Sequence, residues 1–191
     1  MASVSVISAR RTWSDIQWCN ALCRRTTGQV QTVAQMPTEL EVQRVTSSTG
    51  VPDDEQFQLW VETALAGKPG QFTLSIRVVD ESEAQRFNRE YRNKDYATNV
   101  LSFAAELPEG LPAEIRQSQL GDLLICAPVV AREASEQHRS ENDHWAHLTI
   151  HGVLHLLGYD HEQADEAQVM ELLETEILAK LGVSDPYQDL S

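Results

Sequence analysis

Residues 72–91, FTLSIRVVDESEAQRFNREY, change their hydrophobic period part-way along, and that change decides the class of fold. Phe72, Leu74, Ile76 and Val78 alternate with their neighbours, the period of a strand. From Asp80 onward the apolar residues fall at Ala84, Phe87 and Tyr91, the spacing of one helix face. Asp80 with Glu83 three residues later has the form of a capping box, so a helix is expected to start there. Arg92 is expected just beyond that helix, beside the Asn93-Lys94-Asp95 turn.

The same two periods recur on either side. Leu40 and Val42 alternate as a weak strand. Asp53 caps a helix whose apolar face is Phe57, Trp60, Val61, Ala64 and Leu65, and Gly67, Pro69 and Gly70 break the chain after it. Residues 99–103 and 122–126 read as two further short strands, separated by a loop over 107–119. Pro128 suits the first turn of a helix running toward His138. A helix over about 143–157 ends at Gly158, and a last one over about 164–181 buries Met170, Leu173, Ile177 and Leu181 before Gly182. Strands come early and helices late. The expectation is a single α+β domain, a small mixed sheet of about four strands packed with about five helices.

The chain has 191 residues, enough to bury a core without disulfides, and its three cysteines are odd in number and irregularly spaced. Cys126 falls in an apolar run and reads as core. These features favour a soluble protein of a reducing cytoplasm, and no apolar run reaches the roughly 18 residues of a membrane span. The net charge of −14 argues against broad capture of nucleic acid by the whole surface. Residues 1–35 depart from this, with four arginines and one aspartate and no regular periodicity. They read as an extension, disordered or from a misassigned start with Met36 as the functional one, in preference to a transit peptide. Residues 36–191 are then the functional domain.

Residues 151–161, HGVLHLLGYDH, carry the chemistry. His151 and His155 are four apart on the expected helix, so both imidazoles leave one face about one turn apart. Gly158 turns the chain back, and the short return through Tyr159 and Asp160 leads to His161. Three neutral nitrogen ligands with an open fourth position describe a catalytic zinc, at a helix C-terminus and the turn after it. His147 extends the ladder to His147-His151-His155, but that spreads over about 12 Å, too far for one ion. It reads as a supporting or structural residue, and His144 and His138 as solvent-facing. The spacing is that of the metzincin proteases, whose second motif position is a glutamate acting as general base. Here it is Gly152, so the ligand set survives and the peptidase chemistry does not.

The run HGVLHLLGYDH resembles the signature of the YbeY family of bacterial ribosomal RNA maturation factors. IRVVD at 76–80, NREYRNKD at 88–95, TNVLSF at 98–103, LGDLLIC at 120–126, LLETEI at 172–177 and GVSDPY at 182–187 are similar in order and spacing. The resemblance covers residue 38 to the C-terminus. Ala104 departs from it, where the family often has proline, and residues 1–35 have no counterpart. The resemblance implies an α+β fold with one zinc ion held by His151, His155 and His161. It implies a metal-dependent, single-strand-specific endoribonuclease acting in maturation of the small-subunit ribosomal RNA 3′ end and in ribosome quality control. Its partners would be ribosomal RNA and the ribosome or its proteins. It also implies an important arginine, which maps onto Arg92.

Arg86, Arg89, Arg92 and Lys94 form a local cationic cluster in an acidic chain, and guanidinium groups engage phosphate bidentately. Arg86, Arg89 and Lys94 are therefore candidates for RNA binding, and Arg92 for contact with the scissile phosphate. No general base is evident. Asp160, Tyr159 and Asp122 are weak candidates, and Asp160 is equally a residue that could orient a ligand histidine. Two other readings stand beside the nuclease: a ribosome-associated assembly factor with a mainly structural zinc, and a metallopeptidase.

Overall fold

The computed structural model describes residues 6–7, 38–108, 110–112, 115, 118–160 and 163–188. Among these the strands are β1 (Val6–Ile7), β2 (Glu39–Val45), β3 (Thr73–Val79), β4 (Val100–Ala104) and β5 (Gln119–Cys126). The helices are α1 (Asp54–Leu65), α2 (Glu81–Arg92), α3 (Ala127–Glu136), α4 (Glu141–Leu156) and α5 (Ala164–Lys180). The sheet order is β1-β4-β5-β3-β2. β2, β3 and β5 are parallel, β4 runs antiparallel to β5, and β1 adds a parallel edge pairing to β4. This is the α+β architecture with a mixed sheet that the periods implied. The two-residue β1 was not anticipated.

β3 lies between β2 and β5 and is covered on both faces. Ser75 and Val79 are therefore buried along with Leu74, Ile76 and Val78. The two faces belong to different cores. Val100, Leu123 and Ile125 join Ile76 and Val78 against α1 and α4, with Phe57, Trp60, Trp145, Ile150 and Val153. Their neighbours Leu101, Phe103, Leu124 and Cys126 point the other way, onto Ala84 and Phe87 of α2. Aromatic edges fill both layers. Phe57 meets Trp145 with ring centroids 5.9 Å apart, and Tyr91 meets Phe103 at 5.2 Å.

α1 begins at the expected Asp53 cap, and Gln56 completes a full capping box with it. α2 does not. Asp80 is its N-cap, but the side chain makes no cap hydrogen bond and accepts instead from the Thr46 hydroxyl. Glu83 is drawn off by the Arg77 guanidinium, at 3.2 and 3.0 Å from Nε and Nη2. Charged and hydroxyl partners from β3 and the segment after β2 thus take both members of the expected box. α2 also runs through Arg92, which is its last residue rather than a residue beyond it. Asn93 ends the helix at φ 56°, a left-handed conformation that asparagine tolerates.

Gly121 explains an irregularity in the sheet centre. The β3–β5 register shifts between Thr73 and Leu74, and Gly121 takes φ 129° there. A Cβ at that position would lie 2.0 Å from the Phe103 carbonyl oxygen, so only glycine fits.

Candidate metal centre

α4 carries the histidines and is buried along most of its length. Ser140 caps it, accepting from the Asp143 N–H at 3.0 Å. It packs tightly on the sheet at Gly152, where a Cβ would meet the Leu123 methyls at 2.7 and 3.1 Å and Ser102 Oγ at 3.4 Å. Ser102 Oγ also donates to the Gly152 carbonyl at 3.3 Å. Position 152 therefore faces β4 and β5. The absence of an acid there is a packing requirement as well as a loss of peptidase chemistry.

The helix ends in a Schellman motif. Gly158 at φ 90° lets the Gly158 N–H reach the His155 carbonyl at 2.9 Å and the Tyr159 N–H reach the Leu154 carbonyl at 3.1 Å. That turn also presents the Tyr159 carbonyl to His155 Nδ1, 3.0 Å away. A carbonyl only accepts, so His155 carries its proton on Nδ1. His151 Nδ1 stands 2.5 Å from Glu174 Oε1. Burial alone would raise the Glu174 carboxyl, but hydrogen bonds from His147 and His151 and their charges outweigh it and hold it well below the carboxylate range. Glu174 is thus an acceptor, and His151 too carries its proton on Nδ1. In neutral rings both Nε2 atoms then present lone pairs.

Those two Nε2 atoms lie 3.1 Å apart. Two lone pairs facing each other at that distance repel unless a proton or a cation takes both. Adjacent ligand nitrogens on a tetrahedral zinc at 2.0–2.1 Å are separated by roughly 3.3 Å, close to the spacing seen. The expected pair therefore converges as the helix spacing required. His161 lies outside the described residues. Tyr159 and Asp160, half-buried, form the return after Gly158, and with Glu166 and Val169 they line a pocket of about 280 Å³. The Tyr159 hydroxyl receives Lys68 Nζ at 3.0 Å.

His147 Nε2 lies 3.3 Å from Glu174 Oε2. Burial pushes its imidazole below the ordinary histidine value. His144 corrects the sequence reading. It is 3% exposed rather than solvent-facing, because α3 covers the first turns of α4 and brings Glu133 to 2.9 Å from its Nε2. His138 is exposed as expected.

The cationic residues are dispersed over α2 and its end. Arg86 pairs with Glu83 at 3.5 Å and lies over the Phe87 ring, and Arg89 pairs with Asp95 at 3.6 Å. Lys94 follows the helix cap, half-buried. Arg92 is half-buried on the last turn, and burial lowers its pKa. Asp122 is buried on the α2 side of the sheet, where Ser75 Oγ donates to it.

Arg92 and the histidines lie on opposite faces of the sheet but toward the same end. α4 runs from Glu133 and Asn99, beside the start of β4, to Ser102 at Gly152, so His155 lies one turn further on. α2 likewise ends where Tyr91 meets Phe103, near the end of β4.

The endoribonuclease YbeY family model matches residues 41–182. The chain belongs to that family. Endoribonuclease YbeY of Stenotrophomonas maltophilia strain K279a is 62% identical over 138 residues, covering 72% of this chain and 86% of the relative. That of Xanthomonas campestris pv. campestris strain B100 is 59% identical over 139 residues, covering 73% and 86%. A solution structure of a Thermotoga maritima protein is 22% identical with a TM-score of 0.48, covering 78% of this chain and all of that one. The family match contains His151, His155 and Arg92, and it excludes residues 1–35.

Two residues at the site escaped the sequence reading. Glu174 is fully buried, and its spacing from Met170 and Leu178 places it on the apolar stripe of α5. An acid in the middle of an apolar stripe was the available signal. Tyr187, whose hydroxyl donates to Glu174 Oε2, follows the last helix with no periodicity to single it out.

Proposed function

We propose that this chain is a zinc-dependent, single-strand-specific endoribonuclease acting in maturation of the small-subunit ribosomal RNA 3′ end and in ribosome quality control, in the cytoplasm. Its functional domain is residues 36–191, and it binds one zinc ion per chain through His151, His155 and His161. The observation that carries this reading is the pair of Nε2 atoms 3.1 Å apart, each with its Nδ1 proton committed to an acceptor. Such a donor set fits zinc, which when bound would supply a Lewis acid beside the scissile phosphodiester.

The chain's own residues do the rest. Arg92 directs a planar set of donors at a non-bridging phosphate oxygen and stabilises the charge that develops there. A single strand laid across the end of β4 could touch both the histidine face and the α2 face. Arg86, Arg89 and Lys94 would track its backbone along α2. Ribosomal RNA and the ribosome are the partners in this reading. Among the described residues no helix is long and apolar enough to cross a membrane.

The test compares wild type, His155→Ala and Arg92→Ala on a single-stranded ribosomal RNA precursor and on casein, with metal analysis of each. Cleavage of RNA by wild type, lost in both variants, supports the proposal, as does about one zinc per chain lost in His155→Ala. Equal cutting by all three would identify a contaminant and overturn it. RNA binding without cleavage under any metal would favour an assembly factor, and casein cleavage dependent on His155 a peptidase.

A further inference from the structure

We propose that Glu174 is the positioning residue of the metal centre, holding His151 with its proton on Nδ1 and its lone pair on Nε2, and that Tyr187 completes this arrangement from the C-terminal segment. The inference rests on reading His151 and His155 as metal ligands. His155 obtains its orientation locally, from the Tyr159 carbonyl in the turn of its own helix. His151 Nδ1 instead meets a side chain 23 residues away.

Glu174 has no exposure to solvent and sits among Met170, Ile177 and Leu178. A carboxylate in such surroundings persists only when its oxygens are satisfied. Oε1 accepts from His151 Nδ1, and Oε2 faces His147 Nε2 and accepts from the Tyr187 hydroxyl. Tyr187 is held in turn. Its N–H donates to Asp185 Oδ1 at 2.9 Å, Thr175 Oγ1 donates to the same oxygen at 3.2 Å, and Arg139 Nη2 donates to the Pro186 carbonyl. Residues 185–187 are thereby pinned to α5 and to the link between α3 and α4. The chain returns after its last helix to fix an acid that fixes a ligand.

The same groups invite a competing assignment. One donor atom each from His147, His151 and Glu174 lies within 4.8 Å of the others, close enough to hold an ion directly. The contact between His151 Nδ1 and Glu174 Oε1 argues against it. At 2.5 Å it is a hydrogen-bond distance, whereas two atoms ligating one zinc at 2.0–2.2 Å stand roughly 3.3 Å apart. The His151 Nδ1–Glu174 pair is thus read as a hydrogen bond. A carboxylate behind a ligand histidine also fixes its tautomer and raises its basicity.

The experiment uses the full chain. Histidine ring tautomers are read by 15N–1H correlation spectra of the metal-free protein, and zinc affinity and stoichiometry by titration against a chelating dye. Wild type should show His151 as a single Nδ1–H tautomer and bind one zinc. Glu174→Ala should give a tautomer mixture and weaken zinc by roughly 10–100-fold while keeping the stoichiometry. Glu174→Gln retains an acceptor oxygen and should recover the tautomer and much of the affinity. Tyr187→Phe should show a smaller loss of affinity. An unchanged His151 tautomer and unchanged affinity in Glu174→Ala overturn the proposal, as do two zinc ions in wild type against one in that variant. Should Glu174→Ala not fold, the other two variants decide, because wild-type affinity in Tyr187→Phe with a Gln variant as weak as metal-site loss contradicts the scheme. His155→Ala separates the two readings: wild-type zinc affinity in that variant removes the ligand assignment, while the tautomer of His151 still reports on Glu174.

Discussion

Substituting Gly152 should push α4 off the sheet. In Gly152→Ala the new methyl falls 2.7 Å from one Leu123 methyl and 3.1 Å from the other, and Leu123 is fully buried. The side chain is thus penned in, and overpacking of this kind costs about 1–3 kcal/mol. Against that, alanine is favoured over glycine in a helix interior by about 1 kcal/mol. The net expectation is a destabilisation of about 0–2 kcal/mol, or a fall in Tm of up to roughly 8 °C at about 2–4 °C per kcal/mol. Gly152→Glu should be far worse, since it adds a carboxylate aimed at the buried faces of β4 and β5. Urea denaturation of both variants, with Leu123→Ala as a second site, measures this directly. Leu123→Ala alone should cost about 2–5 kcal/mol, and the double variant should be more stable than the sum of the two predicts. A Gly152→Ala protein about 1 kcal/mol more stable than wild type, additive with Leu123→Ala, would refute the close-packing argument. A folded Gly152→Glu protein that cleaved casein would refute the claim that this helix cannot carry the peptidase base.

Other consequences are open to measurement. Gly158 at φ 90° should resist replacement: Gly158→Ala is expected to cost about 1–2 kcal/mol in denaturant and to weaken zinc, since the same turn presents the Tyr159 carbonyl to His155. Glu133 is the subject of a pH test. Burial, the largest influence, would raise its carboxyl, but hydrogen bonds from His144 and Asn99 outweigh it and leave the folded pKa depressed. Its contribution is therefore present above the unfolded value of about 4.3 and lost as pH falls through the folded value. The stability gap between wild type and Glu133→Gln should narrow as denaturation is moved from pH 7 into the acid range, and a gap that widened would contradict the assignment. Arg92→Ala should lower kcat on single-stranded RNA by about 10²–10³ with little change in Tm, and Arg92→Lys should restore only part of it. Chelation should abolish cleavage, and readdition of one equivalent of zinc should restore it.

What could be read from the sequence was set by short-range geometry. The 3.6-residue turn places His151 and His155 on one face, the glycine at 158 ends the helix, and Asp53 caps α1, all within a few residues of chain. The alternation in β3 marked a strand, though not that both its faces would be covered. Where partners come from elsewhere, the local signals misled. Thr46 and Arg77 disengage Asp80 and Glu83 from their capping box, and α3 buries His144 against Glu133. The tautomers of the two histidines depend on an acceptor in the adjoining turn for one and on a buried acid from α5 for the other. Tyr187 reaches that acid from beyond the end of α5, 13 residues on. The placement of Arg92 on the far face of the sheet follows from which side α2 packs. The sequence by itself determined the four longer strands, the five helices and the two facing imidazoles, because those rest on backbone periods and on glycine's conformational range. Only the tertiary structure decided what holds the imidazoles in register, because satisfying a buried carboxylate requires donors that packing alone brings together.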